Sequence, residues 1–230
     1  MWRAQIEGLG GSARVVALDL PGFGHSPAPQ VEVRTMADFA DAVIALADAL
    51  GFSRFVLCGL SMGGYVAFAV ARAHPERLAG LVLCDTRAEP DTAEAVPGRL
   101  ADAERALREG VGFYVEKMMP KYVAAGAPAG VRAEVERAMR RTPAWGFAAA
   151  LRGIATRPDA RPELGAIAVP TLCVVGAEDA LTPEAGMRAL AAAVPGAELV
   201  VVPGGHLAPL ESPEPVNAAV GRFLATRITP

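Results

Sequence analysis

Arg54 to His74 reads RFVLCGLSMGGYVAFAVARAH. The stretch decides the fold class, because it changes period in mid-run. RFVLC is an apolar segment of strand length, and MGGYVAFAVARAH is helix-forming. Between them, Gly59-Leu60-Ser61-Met62-Gly63, followed by Gly64, leaves no room for a loop. A serine there sits on a tight strand-to-helix turn with a strained backbone. Small residues two before and two after let the turn close, and the hydroxyl points above the sheet edge beside a helix N-terminus.

Strands and helices alternate on both sides of this turn. Upstream, MWRAQIEGLGG reads as a short helix closed by glycines, and Arg14–Leu20 (RVVALDL) as a strand. TMADFADAVIALADAL follows with Met36, Phe39, Ala40, Val43, Ala47 and Leu50 on one helical face. Thr35 and Asp38 start it as a capping box, and Gly51 ends it. Downstream come the strands AGLVLCDT, PTLCVVG and AELVVVPG. Thr182-Pro183-Glu184 and Ser212-Pro213-Glu214 each announce a helix. Apolar strands separated by helices predict an α/β fold: a mostly parallel sheet with helices on both faces. From about residue 86 to 165 no strand signal appears. That segment reads as a helical insertion, so the expected division is a core of 1–85 and 166–230 and a helical cap of 86–165.

Composition narrows the class. Over 230 residues, 52% are hydrophobic and 20% charged, which excludes disorder. A net charge of −3 without a basic cluster argues against nucleic acid as a partner. The apolar runs are strand-sized, so no membrane span is expected, and the N-terminus lacks a signal-peptide pattern. Cys58, Cys84 and Cys173 lie in or beside strand runs without metal-like spacing. They read as buried free thiols of a cytoplasmic protein.

Ser61 requires a base to become a nucleophile. The chain has three histidines. His74 ends the helix after the turn and suits its negative end. His25, in DLPGFGHS, and His206, in PGGHLAPLESP, both follow strands, where sites form in parallel sheets. The order serine, acid, histidine selects His206. The acid is expected just after PTLCVV, where GAEDALTP offers Asp179, the better placed, and Glu178. It would hold the His206 tautomer and stabilise the imidazolium.

With these residues the chain resembles the α/β-hydrolase family. The resemblance rests on DLPGFGHS (19–26), GLSMGG (59–64), AHPERL (73–78), GAEDALTP (176–183) and GHLAPLE (205–211). It is nearest to the small esterases, oxoadipate enol-lactonases and cofactor-free haloperoxidase-like enzymes. It implies Ser61 as nucleophile, Asp179 as acid, His206 as base and the Met62 backbone N–H as one oxyanion donor. It implies a small ester or lactone as substrate, with no cofactor and no metal. A non-catalytic remnant or binding protein of the same fold is the alternative.

Family members begin with strands before the helix that MWRAQIEGLGG resembles, and a loop there supplies the second oxyanion donor. The chain therefore reads as N-terminally shortened, with Met1 an internal methionine of a longer protein or the start of a reduced one. A vacant slot would hold the flanking strands about 9.6 Å apart, twice the usual spacing. The expectation is that RVVALDL and RFVLC pair directly and in parallel, as the first two of five strands in chain order. That closure would bring Gly22 or Phe23 to Ser61 as the second oxyanion donor.

Overall fold

The computed structural model describes residues 1–228. Its sheet has four parallel strands in chain order: β1 (Phe55–Leu60), β2 (Leu78–Cys84), β3 (Thr171–Gly176) and β4 (Glu198–Val202). Helix α1 (Arg3–Leu9) opens the chain, and α2 (Met36–Ala49) begins on the expected Thr35/Asp38 capping box. Helix α3 (Met62–Ala73) joins β1 to β2. Four helices lie between β2 and β3: α4 (Ala95–Glu109), α5 (Gly112–Tyr122), α6 (Ala129–Arg140) and α7 (Ala144–Ala155). Helix α8 (Glu184–Ala193) joins β3 to β4, and α9 (Ala208–Glu211) and α10 (Pro213–Arg227) close the chain.

The pleat sorts the core into two layers. Leu81, Leu83, Cys173 and Val175 point to one face, against α2, α3, α7 and α8. Val82, Cys84, Leu172, Val174 and Val202 point to the other, against α1 and α10. Successive strand residues thus bury on opposite faces, which is why β2 and β3 read as unbroken apolar runs. Helix α1 is held on the second face by polar contacts as well. Asn217 donates through Nδ2 to the Ala4 carbonyl at 2.9 Å, and Gln5 through Nε2 to that of Pro209 at 3.0 Å.

The expected fifth strand does not form. From Arg14 to Leu20 the chain joins no ladder, and β1 is an edge strand that pairs only with β2 among the described residues. The direct pairing of RVVALDL with RFVLC is therefore overturned. Side-chain packing, not backbone pairing, positions the segment. The Arg14 guanidinium lies 4.7 Å from the Phe52 ring centroid, Val15 packs with Val56 into the second layer, and Leu20 packs into the first. The loop that follows is pinned to α7, where a Cβ on Gly146 would lie 2.3 Å from the Gly22 carbonyl oxygen. Val15, Leu18 and Leu20 are half-buried and the rest of the run is exposed, so this apolar segment of strand length is neither paired nor enclosed.

The edge also corrects the reading of the cysteines. All three are free, but Cys58 is exposed, whereas Cys84 and Cys173 are buried. Burial pushes the Cys173 thiol up to about 12. Thiolate is the reactive form, so exposure and ionisation act together. Treating the native protein with an aromatic disulfide reagent should modify one thiol, located to Cys58 by peptide mass spectrometry. The other two should react only after unfolding. Modification of Cys84 or Cys173 in the native state would show that the central strands open.

Candidate active site

Ser61 follows β1 and caps α3. Its φ of 51° lies in the left-handed region, a strained conformation for a residue with a side chain. Two glycines make the turn possible. A Cβ on Gly59 would lie 2.2 Å from the Gly63 carbonyl oxygen, and one on Gly64 would lie 2.3 Å from the Thr86 hydroxyl. Gly63 has open space at that point. The steric need therefore falls on Gly59 and Gly64, not on the residue two after the serine. The strained peptide is held at both ends. Ser61 N–H donates to the Cys84 carbonyl at 3.0 Å, and the Ser61 carbonyl accepts from the Thr86 hydroxyl at 2.8 Å.

His206 comes from the loop after β4 and is 2% exposed. Its Nε2 lies 2.9 Å from Ser61 Oγ, and its Nδ1 lies 2.9 Å from Asp179 Oδ2. The carboxylate accepts from Nδ1–H, which leaves Nε2 a lone pair for the serine hydroxyl proton. Asp179, after β3, is buried, while Glu178 is exposed. Asp179 Oδ1 also accepts from the N–H groups of Leu181 at 2.7 Å and Thr182 at 3.0 Å, and Oδ2 from the Thr182 hydroxyl. Burial alone would raise the Asp179 carboxyl. Hydrogen bonds and charge from His206, with those from Thr182, outweigh it and hold the group below the usual carboxylate range. Thr182 thus ties down the acid, and Pro183 takes the N-cap position of α8.

His25 is exposed, and its backbone N–H donates to Asp19 Oδ2 at 2.9 Å, within its own loop. His74 lies at the end of α3, with Glu76 3.9 Å away. Neither reaches Ser61. Met62 N–H is the first amide of α3 and has no partner within the helix. The expectation for Gly22 and Phe23 is overturned. Gly22 N–H donates to the Ser26 carbonyl at 3.3 Å and Phe23 N–H to that of Leu20 at 2.9 Å. Both amides close their own turn, and Gly22 lies against Gly146 of α7.

Three neighbours escaped the sequence reading. Tyr122, at the end of α5, stacks on His206 with ring centroids 5.6 Å apart and 15° between planes. Glu211, at the end of α9, collects three backbone donors. Oε1 accepts from Gly205 at 3.0 Å and Leu207 at 3.3 Å, and Oε2 from Ala124 at 2.8 Å. It clamps both flanks of His206 to the chain just after α5. Glu211 closes the quoted GHLAPLE motif, but no spacing rule linked it to residue 124.

The third neighbour, Asp85, follows β2 with a φ of 44° and is fully buried. Oδ1 accepts from Gly176 N–H at 2.7 Å, and Oδ2 has no hydrogen-bond partner among the described residues. Burial raises its carboxyl to about 8, against the lowering Gly176 hydrogen bond and with help from the Asp179 charge.

Two predictions follow from these carboxyls. Glu211→Ala leaves three part-buried amides without an acceptor. Chemical denaturation should show a loss of about 2 kcal/mol or more, and a neutral result would mean that water replaces the clamp. For Asp85 the native value lies above the unfolded value of 3.8. The native state therefore binds the extra proton, and stability present at low pH is lost as pH rises through about 8. Asp85→Asn removes that dependence. The stability of the variant relative to the parent should grow by up to about 1.4 kcal/mol per pH unit between pH 5 and 8. A difference independent of pH would show that Asp85 is ionised in the native protein.

The alpha/beta hydrolase fold family model matches residues 1–213. A thermophilic esterase from Thermogutta terrifontis, solved with malate bound, superposes with a TM-score of 0.97 at 44% identity, over 99% of this chain and 85% of that one. The enol-lactonase from Burkholderia xenovorans LB400 gives 0.89 at 31% identity, over 97% and 85%. RutD of Caulobacter sp. (strain K31), a protein named for carbamate hydrolysis, is 31% identical over 97% of this chain and 85% of its own length. With the match running from the first helix into α10, the protein belongs to the alpha/beta hydrolase family.

Proposed function

We propose that the protein is a serine hydrolase that cleaves a small carboxylic ester or lactone through an acyl-enzyme. The observation that carries this is the unbroken path from Ser61 Oγ to His206 Nε2 and from His206 Nδ1 to buried Asp179, each step 2.9 Å. Relatives named as esterase and enol-lactonase support the bond class.

Ser61 Oγ attacks the carbonyl carbon while its proton passes to His206 Nε2. The imidazolium is stabilised by Asp179, which stays ionised. The oxyanion of the tetrahedral intermediate takes a hydrogen bond from Met62 N–H at the positive end of α3. The carbon–oxygen bond to the leaving group breaks, and His206 returns the proton to that alkoxide. Water then gives a proton to His206, attacks the acyl-enzyme and releases the acid and Ser61. In a lactone the alkoxide and the acyl group belong to one molecule, which leaves as a hydroxy acid. Tyr122 covers one face of His206 and restricts the water that reaches it.

The non-catalytic alternative gains no support from a site in which the strain at Ser61 and the burial of Asp179 are both retained. Strain of this kind costs about 1–3 kcal/mol, and here it accompanies a Ser61 Oγ held 2.9 Å from His206 Nε2. The test uses a short-chain nitrophenyl ester and a fluorophosphonate probe. Ser61→Ala should abolish hydrolysis and labelling, and Asp179→Asn should lower kcat by about 10²–10⁴. His25→Ala should keep most activity. An unlabelled but folded parent protein, or equal damage from His25→Ala and His206→Ala, would overturn the assignment.

A further inference from the structure

On the α2 side of the sheet the protein holds a cavity of about 270 Å³, with Ser61, Asp179 and His206 outside its lining. Its walls come from the N-terminus of α2, the middle of α3, the turn after β2 and the end of α7. Phe68, Ala69, Ala88 and Ala160 make it largely apolar. Three arginines, Arg72, Arg87 and Arg157, also line it, and no acidic residue does.

The charges around it do not balance. Glu163 holds Arg72 in a two-pronged pair through Nε and Nη2. Asp91 is shared by Arg99 and Arg157, which leaves one of those two cations without a counter-charge. Arg87 has no ion pair among the described residues, and its Nε is buried without a hydrogen-bond partner. Arg157 is 6% exposed. Its Nη atoms serve Asp91 and the carbonyls of Ile154 and Glu89, while its Nε is likewise buried and unpartnered. An unmatched buried donor costs about 1–3 kcal/mol, so two of them at one cavity require an explanation.

The helix supplies the same sign of charge. Met36 and Ala37 are the first two residues of α2, a helix of 14 residues, and both line the cavity. The capping box satisfies the N–H of Thr35 and of Asp38. The amides of Met36 and Ala37 have no acceptor in the helix, and the helix dipole adds positive potential there. Asp38 is exposed and engaged by Thr35, outside the cavity.

We propose that this cavity binds a small organic carboxylate, with its apolar body against Phe68 and Met36 and its carboxylate toward Arg87, Arg157 and the α2 amides. The few donors and the apolar walls suit one planar carboxylate better than a fully hydrated phosphate. The site is separate from the Ser61 centre and does not depend on what that centre does.

Benzoate is the probe, titrated into the full chain carrying methyl-labelled methionine. Met36 lines the cavity and Met62 adjoins Ser61, so their methyl signals report the two places separately. The Met36 signal should shift and saturate, with Met62 unmoved. Arg87→Gln should weaken binding about tenfold or more, a change of about 1.4 kcal/mol or more. Arg87→Lys should restore part of it, and inorganic phosphate should compete only weakly. Four outcomes would each overturn the proposal: no saturable shift, a response at Met62 instead of Met36, Arg87→Gln binding like the parent, or phosphate binding more tightly than benzoate.

Discussion

The ladder of the parallel sheet does not stop where the strands do. Ser61 N–H donates to Cys84, Asp85 N–H to Val174 at 2.9 Å, and Ala177 N–H to Val202 at 2.8 Å. β1, β2 and β3 each hand one more hydrogen bond to the next strand beyond their last paired residue. The carboxyl ends are therefore laced into a continuous edge, and the loops that leave it start from fixed points. Ser61, Asp179 and His206 come from three such loops, and the distances between them follow from strand spacing and register. Loosening that edge would degrade every contact of the site together.

Three carboxyl groups lie close to this edge, and their surroundings treat them differently. Asp179 is surrounded by donors and is held ionised despite burial. Asp85 is buried with one donor for two oxygens, and is held neutral. Glu211 lies between the histidine loop and the segment after α5, where backbone amides supply its partners. Helices α4–α7 and the segment after α5 contribute Tyr122 and Ala124 to this region, and Val115, Met119 and Val123 pack in one cluster with Leu207 and Ala208 beside His206.

The opposite margin of the sheet follows a different rule. Segment 14–20 touches the core layers only through Val15 and Leu20 and shares no hydrogen bonds with β1, and Cys58 is left exposed. Arg14 on Phe52 at one end and Gly22 on α7 at the other hold the segment in place. Between those contacts the segment forms no ladder with β1, and the Gly22 and Phe23 amides spend their hydrogen bonds within their own turn.

The alternation of apolar strands with helices, the sharp turn at Gly59–Gly64 and the chain order of serine, acid and histidine were legible in the residues themselves. They depend on local propensity and on the handed, sequential winding of parallel sheets. The sequence favoured Asp179 over its neighbour Glu178 by place in the turn, and the structure separates them by burial: Asp179 is buried with Thr182 and His206 as partners, and Glu178 is exposed. The sequence showed Gly63 and Gly64 as alike, and only the approach of Thr86 distinguished them. Segment 14–20 had every local mark of a strand, yet pairing is a property of two segments, and no single run records its partner. The Tyr122 stack, the Glu211 clamp and the arginine-lined cavity join residues far apart in the chain, and only tertiary packing decides such meetings.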